Sequence, residues 1–176
     1  MVIVIFERYV SFLLHQDENQ WPRIQRELIR QINHRSEFYS ENMLVPDVAK
    51  ALERIKFEDE DESCGQGNWM SMPSTGYVLA DLYQRHVFFF CATWSETILP
   101  SSCSPNNNPP LFLTLVGNHY MILQLKTPSL FPAPQLMCNW DSYSTPEALA
   151  WKDRYSDCIE MTQELKKNTR NSRITY

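Results

Sequence analysis

His119 is the residue of this 176-residue chain that local sequence best equips for general-base chemistry. Two β-prone runs within segment 111–125 are separated by the pair Gly117-Asn118, and both residues of that pair tolerate positive φ. The pattern predicts a hairpin with His119 at the first position of a central strand. A histidine held there on rigid backbone beside a loop is well placed to take a proton from a nucleophile. The remaining question is which residue supplies that nucleophile.

The five cysteines are the first candidates for it. None forms a Cys-x-x-Cys pair, so the sequence predicts no structural zinc site, and the odd, scattered set favours a reducing compartment. Cys64 is the best candidate, because it lies in the glycine-flanked loop 63–67, although the acids at 58–62 would raise its pKa. Cys91 and Cys158 are predicted to be inert core thiols, and Cys103 and Cys138 lie in predicted loops.

Other polar residues carry weaker signals. His15, His34 and His86 are predicted to lie at the surface or at helix ends, and Ser11 is predicted to be structural. The basic tail is interpreted as a solvated helix end in preference to a phosphate-binding arm. It comprises Lys166, Lys167, Arg170 and Arg173.

Composition indicates one globular domain with a core of its own. The chain is 43% hydrophobic and 12% aromatic, and its net charge of −5 argues against a broad nucleic-acid surface. No stretch approaches the ~20 apolar residues of a membrane span. The apolar start ends at Glu7 and lacks the basic residues of a signal peptide. We therefore expect a soluble intracellular protein, cytoplasmic or nuclear, with no cofactor, no nucleic-acid partner and no membrane attachment.

Hydrophobic spacing predicts the elements that would hold these side chains. Helices are predicted over 7–14, after Pro22, over 46–55 and over 74–85, followed by a buried strand at 86–91. Residues 100–110 are predicted to be a loop that leads into the hairpin. A last helix should begin at Thr145-Pro-Glu, with an apolar stripe of Trp151, Tyr155, Cys158 and Leu165. Helices around a small, partly antiparallel sheet define an α+β class.

Three blocks of sequence resemble the OTU (ovarian tumour) family of cysteine proteases, especially its divergent fungal and mobile-element-associated members. The first block joins residues 10–14 to residues 17–28 and to Phe38-Tyr39. The second runs from Trp69 to Gly76 and into the strand at 87–90, and the third is Asn118-His119-Tyr120. Together they cover roughly residues 8 to 140 in the family's order.

The resemblance implies a papain-like fold with helices packed around a small mixed sheet. It also implies a cysteine-type isopeptidase that acts on ubiquitin or a ubiquitin-like modifier. Such a site needs a thiolate, which a helix N-terminus and a histidine stabilise, and backbone amides that hold the oxyanion. The resemblance assigns the catalytic histidine to His119, with Asn118 and Tyr120 as possible supporting residues.

The sequence departs from the family at the nucleophile. Counting back along the motif Asp-Gly-Asn-Cys-Gly-Phe-Arg, Arg8 matches the arginine, but Ile5 occupies the cysteine position and Val2 the aspartate position. Met121 stands where the family often has an acid or amide after the histidine.

Three interpretations remain open. The chain is a deubiquitinase whose nucleophile lies elsewhere, a non-catalytic relative that binds a modifier, or a mobile-element-derived fragment that starts incorrectly. Residues 1–140 are predicted to form the OTU-like domain, and residues 141–176 a C-terminal helix and basic tail.

Overall fold

The computed structural model describes residues 3–56, 72–117, 119–123, 125 and 131–173. Cys64 and Asn118 lie outside these residues. The described helices are α1 (Ile3–His15), α2 (Trp21–His34), α3 (Ser36–Glu41), α4 (Val48–Ile55), α5 (Ser74–Tyr83), α6 (Trp140–Tyr143) and α7 (Trp151–Arg173). The described strands are β1 (Val87–Cys91), β2 (Glu96–Ile98), β3 (Leu111–Val116) and β4 (His119–Ile122).

The N-terminal helices form as their apolar spacing predicts. In α2, Ile24, Leu28 and Ile32 lie on one buried face, and Pro22 occupies the first turn, where its missing N–H is not needed. The first helix begins at Ile3 and not near Glu7 as predicted. β-Branched residues lower helix propensity only modestly, so packing against neighbouring elements can extend a helix through them.

The predicted helices at 46–55 and 74–85 are confirmed with slightly shorter bounds. Asp47 caps α4 by accepting a hydrogen bond from the Lys50 amide at 2.9 Å. Helix α5 ends at Tyr83, and the left-handed backbone of Gln84 then turns the chain toward β1.

The four described strands form one mixed sheet in the order β2-β1-β3-β4. Strand β1 pairs parallel to β3, and both outer pairs are antiparallel. The hairpin is confirmed, and Gly117 makes its turn with φ of 59°. The prediction that the strand after the turn is central was wrong for the described sheet, because β4 lies at its edge. Strand β2 was not predicted, since three residues are too few to show a period.

Side chains of β1 alternate between two hydrophobic clusters on opposite faces of the sheet. Val87 and Phe89 join the larger cluster, which helices α2 to α5 help to form. Phe88 joins the smaller cluster with Phe131, Trp140, Trp151 and Tyr155. Residues from both sides of position 140 therefore share a core, and the predicted division there stays a prediction.

The last helix differs from its prediction at both ends. A 3₁₀ turn at Ala148–Ala150 precedes α7, and the buried Thr145 hydroxyl has no hydrogen-bond partner among the described residues, so it caps nothing there. The Thr145 carbonyl instead accepts from the Ala148 amide, which closes the tighter turn. Leu165 was expected on the buried stripe but is 51% exposed, because it lies beyond the last α7 residues of the smaller cluster.

Candidate active site

His119 is the first residue of β4, as the turn pattern predicted. Its backbone pairs with Val116, which ends β3. Its side chain lies outside what the structure describes, so its catalytic role stays a prediction, and the supporting role of Asn118 stays one too.

Tyr120, the second predicted supporting residue, is a core side chain. It is 7% exposed, and its ring centroid lies 6.4 Å from that of Phe89. Burial raises the pKa of the phenol, and the Met72 backbone lowers it by a hydrogen bond. Tyr120 therefore anchors β4 to the segment that enters α5, which fixes the strand on which His119 stands.

Helix α1 carries the position at which the family resemblance expects a nucleophile. Ile5 is the third residue of this helix, and α1 packs against β4. A helix N-terminus stabilises a nearby anion through its partial positive charge. Isoleucine, however, has no atom that can ionise or attack.

The cysteines in the described part of the chain occupy four different environments. Cys158 is buried, as predicted, and Cys138 is exposed. Cys103 lies in a loop, and its backbone carbonyl accepts a hydrogen bond from the Trp151 indole N–H. Burial raises the pKa of the Cys103 thiol. The fourth thiol, Cys91, does not follow its prediction.

Cys91 is a partly exposed thiol at the edge of the larger cluster and not a buried core residue, and its predicted inertness stays a prediction. The Thr93 hydroxyl lies 3.5 Å from its sulfur, and hydrogen bonds from Thr93 lower the thiol pKa, with further backbone contributions from Trp94 and Ala92. It opens on a cleft of about 300 Å³ that Trp94 and Lys166 also line. The prediction failed because β1 ends at Cys91, and the turn that follows leaves the last side chain only partly covered. The polar residues Thr93 and Ser95 soon after Cys91 were the available signal.

Cys91 and His119 lie at the same end of the sheet. Cys91 pairs with Leu115 of β3, and Leu115 pairs in turn with Tyr120 of β4, the residue after His119. One strand separates the two residues, so their backbones are about 10 Å apart at the usual strand spacing. The sheet does not place them side by side.

The remaining histidines separate into two kinds. His15 and His34 end α1 and α2, as predicted. His86 was predicted at the surface or at a helix end but is fully buried before β1, because α7 packs its aromatic side chains over it. Ser11 is buried and donates to the Asp17 carbonyl at 2.6 Å, which confirms a structural role.

Neither a metal cluster nor a membrane span is found in the described ranges. No group of three or more His, Cys, Asp or Glu side chains converges there. No helix there combines the length and apolar character that a bilayer crossing requires.

Searches for relatives by sequence and by structure give different results. Neither a family model nor a curated protein matches the sequence. Among solved structures, the OTU domain protease of Dera Ghazi Khan virus is similar, with a TM-score of 0.50 at 14% identity over 70% of this chain and 76% of that one. The chain has an OTU-domain fold. The predicted α+β class and papain-like OTU architecture are confirmed.

Two further OTU domains show lower similarity. The protease of Qalyub virus matches with a TM-score of 0.45 at 15% identity, over 67% of this chain and 75% of that one. The OTU domain of OTUD1 matches with a TM-score of 0.46 at 14% identity, over 68% and 80%. At such identities the OTU likeness concerns the fold, and activity has to be argued from residues.

Proposed function

We propose that this chain is an OTU-fold protein that binds ubiquitin or a ubiquitin-like modifier and is impaired as an isopeptidase. The observation that carries the proposal is the OTU-domain fold, in which α1 packs against β4, with Ile5 at the position where the resemblance expects the nucleophile and His119 at the strand start. Acyl transfer by this family chemistry needs a thiolate beside the histidine. Without a thiol on α1, the fold retains a shape for a modifier but lacks the attacking atom.

A restored nucleophile gives the sharpest test. Ile5→Cys should convert the chain into one that reacts covalently with a ubiquitin probe carrying a C-terminal electrophile, and the wild type should not react. Val4→Cys is the matched control, because neighbouring positions of an α-helix are about 100° apart around its axis. His119→Ala in the Ile5→Cys background should abolish the labelling, since the thiol would lose its base.

Binding is measured separately with unmodified modifiers. Calorimetry with ubiquitin and a panel of ubiquitin-like proteins should detect at least one complex for the wild type. His119-dependent labelling of the wild type would contradict impairment. Absence of both binding and Ile5→Cys labelling, in a folded protein, would remove the modifier from the proposal.

A second candidate is an active hydrolase with a displaced nucleophile. The lowered pKa of Cys91 and its place beside an open cleft favour this alternative. It predicts wild-type probe labelling that Cys91→Ser removes and Cys138→Ser, the exposed control, leaves intact. Cys64, the nucleophile candidate from the sequence, is tested in the same way, by comparing probe labelling of Cys64→Ser with that of Cys138→Ser.

A further inference from the structure

His86 is a fully buried imidazole between the sheet and α7. Its ring centroid lies 5.1 Å from that of Trp151 and 4.7 Å from that of Tyr155, both on α7. Nε2 hydrogen-bonds the Tyr155 hydroxyl, and the His86 carbonyl accepts the Leu111 amide at 2.9 Å. The ring thus contributes directly to the contact that holds α7 on the sheet.

The surroundings of His86 favour the neutral imidazole over the charged imidazolium. Nδ1 has no hydrogen-bond partner among the described residues, so a proton added there would stay unpaired. The charges that act on the ring are cations, Arg85 beside it in the chain and Arg154 on α7. The other neighbours do not offset them, since β1 contributes the Phe88 ring and β3 a backbone amide.

We propose that His86 is an acid-sensitive latch, whose protonation releases α7 from the sheet. Release would give the imidazolium water as its partner and would expose the aromatic face that Trp151 and Tyr155 cover. The two clusters lie on opposite faces of the sheet, so the helices of the larger cluster can stay packed while α7 opens. The proposal is independent of any role in modifier binding.

The expected pH range follows from the pKa of His86 in two states, one with α7 docked on the sheet and one with α7 released. Burial and the two cations lower the pKa of His86 from 6.5 to about 3 in the docked state. A depressed histidine pKa stabilises docking fully above pH 6.5, and this stabilisation falls as the pH drops toward 3. Each pH unit in that interval changes the docking equilibrium about tenfold, so the open fraction should rise about 30-fold between pH 7.5 and pH 5.0.

Hydrogen exchange resolved by segment measures this release. After correction for intrinsic exchange rates, amides of α7 near Tyr155 should lose protection at pH 5.0, and amides near Leu28 of α2 should keep it. His86→Phe should make α7 protection independent of pH over this interval. His34→Phe, at the exposed end of α2, should behave as the wild type.

Three results would overturn the latch. They are equal α7 protection at both pH values in the wild type, the same acid loss in His86→Phe, and parallel loss in α2. If His86→Phe does not fold, the wild-type ring itself decides the matter by NMR. A ring that stays neutral until α7 opens supports the proposal, and one that titrates near pH 6.5 while α7 stays protected refutes it.

Discussion

The sulfur of Cys91 lies at the end of β1, where the Thr93 hydroxyl is 3.5 Å away. Its pKa is lowered, whereas burial raises the pKa of Cys103. Because the thiolate is the reactive form, iodoacetamide should modify Cys91 faster than Cys103, and its rate should persist to lower pH. Thr93→Val should slow the Cys91 reaction severalfold and leave Cys103 unchanged, as peptide mass spectrometry would show. Equal rates at both cysteines would contradict this assignment.

This thiol also affects how probe experiments are interpreted. Labelling at Cys91 through its own lowered pKa would not need His119, so it would survive His119→Ala. Labelling that depends on the histidine reports a dyad. The two outcomes separate intrinsic thiol reactivity from enzyme chemistry at the level of single residues.

A buried ion pair connects α5 with the junction between α2 and α3 and with the loop after β2. Asp81 on α5 accepts from Arg35 at 2.7 Å, from the Ser101 amide at 2.6 Å and from the Ser101 hydroxyl at 2.9 Å. Asp81→Ala would leave the guanidinium and the amide without this acceptor. Removing one partner of a buried pair is strongly destabilising, and we expect the free energy of unfolding in urea to fall by about 3 kcal/mol.

An exposed pair on α2 supplies the comparison. Arg23 donates to Glu27 at 2.7 Å, but its side chain is 54% exposed, against 3% for Asp81. Solvent screens such pairs, so Arg23→Ala should lower the free energy of unfolding far less than Asp81→Ala does. Similar losses for the two variants would mean that the Asp81 network does not stabilise the fold as its burial indicates.

Local sequence predicts the elements whose signal lies within one or two turns of chain. The spacing of Ile24, Leu28 and Ile32 is sufficient for α2, and Gly117-Asn118 is sufficient for the hairpin. Long-range contacts decide the rest: His86 is buried only because a helix 65 residues later covers it. The site follows the same division, since the strand position of His119 was predictable and the partial exposure of Cys91 was not.

At the scale of the whole molecule, the sheet separates two hydrophobic clusters of unequal size. The contact between α1 and β4 belongs to the larger one, through residues such as Val10 and Tyr120. The smaller cluster depends on α7 and on aromatic rings of β1 and β3, of which Phe88 and Phe112 stack at 5.0 Å. Tyr120, which anchors β4, and the proposed latch therefore lie on different faces of the sheet, whereas the cleft beside Cys91 is lined in part by Thr162 and Lys166 of α7.

Two residues on the same predicted stripe of α7 test whether this helix is part of the stable fold. Trp151 is fully buried and donates its indole N–H to the Cys103 carbonyl at 2.8 Å, whereas Leu165 is 51% exposed. Trp151→Ala should lower the free energy of unfolding at pH 7.5 by about 3–5 kcal/mol, as large-to-small changes in a core do. Leu165→Ala should change it by no more than about 0.5 kcal/mol. If Trp151→Ala leaves urea unfolding unchanged, α7 is an appendage, and residues before 140 carry the stability alone.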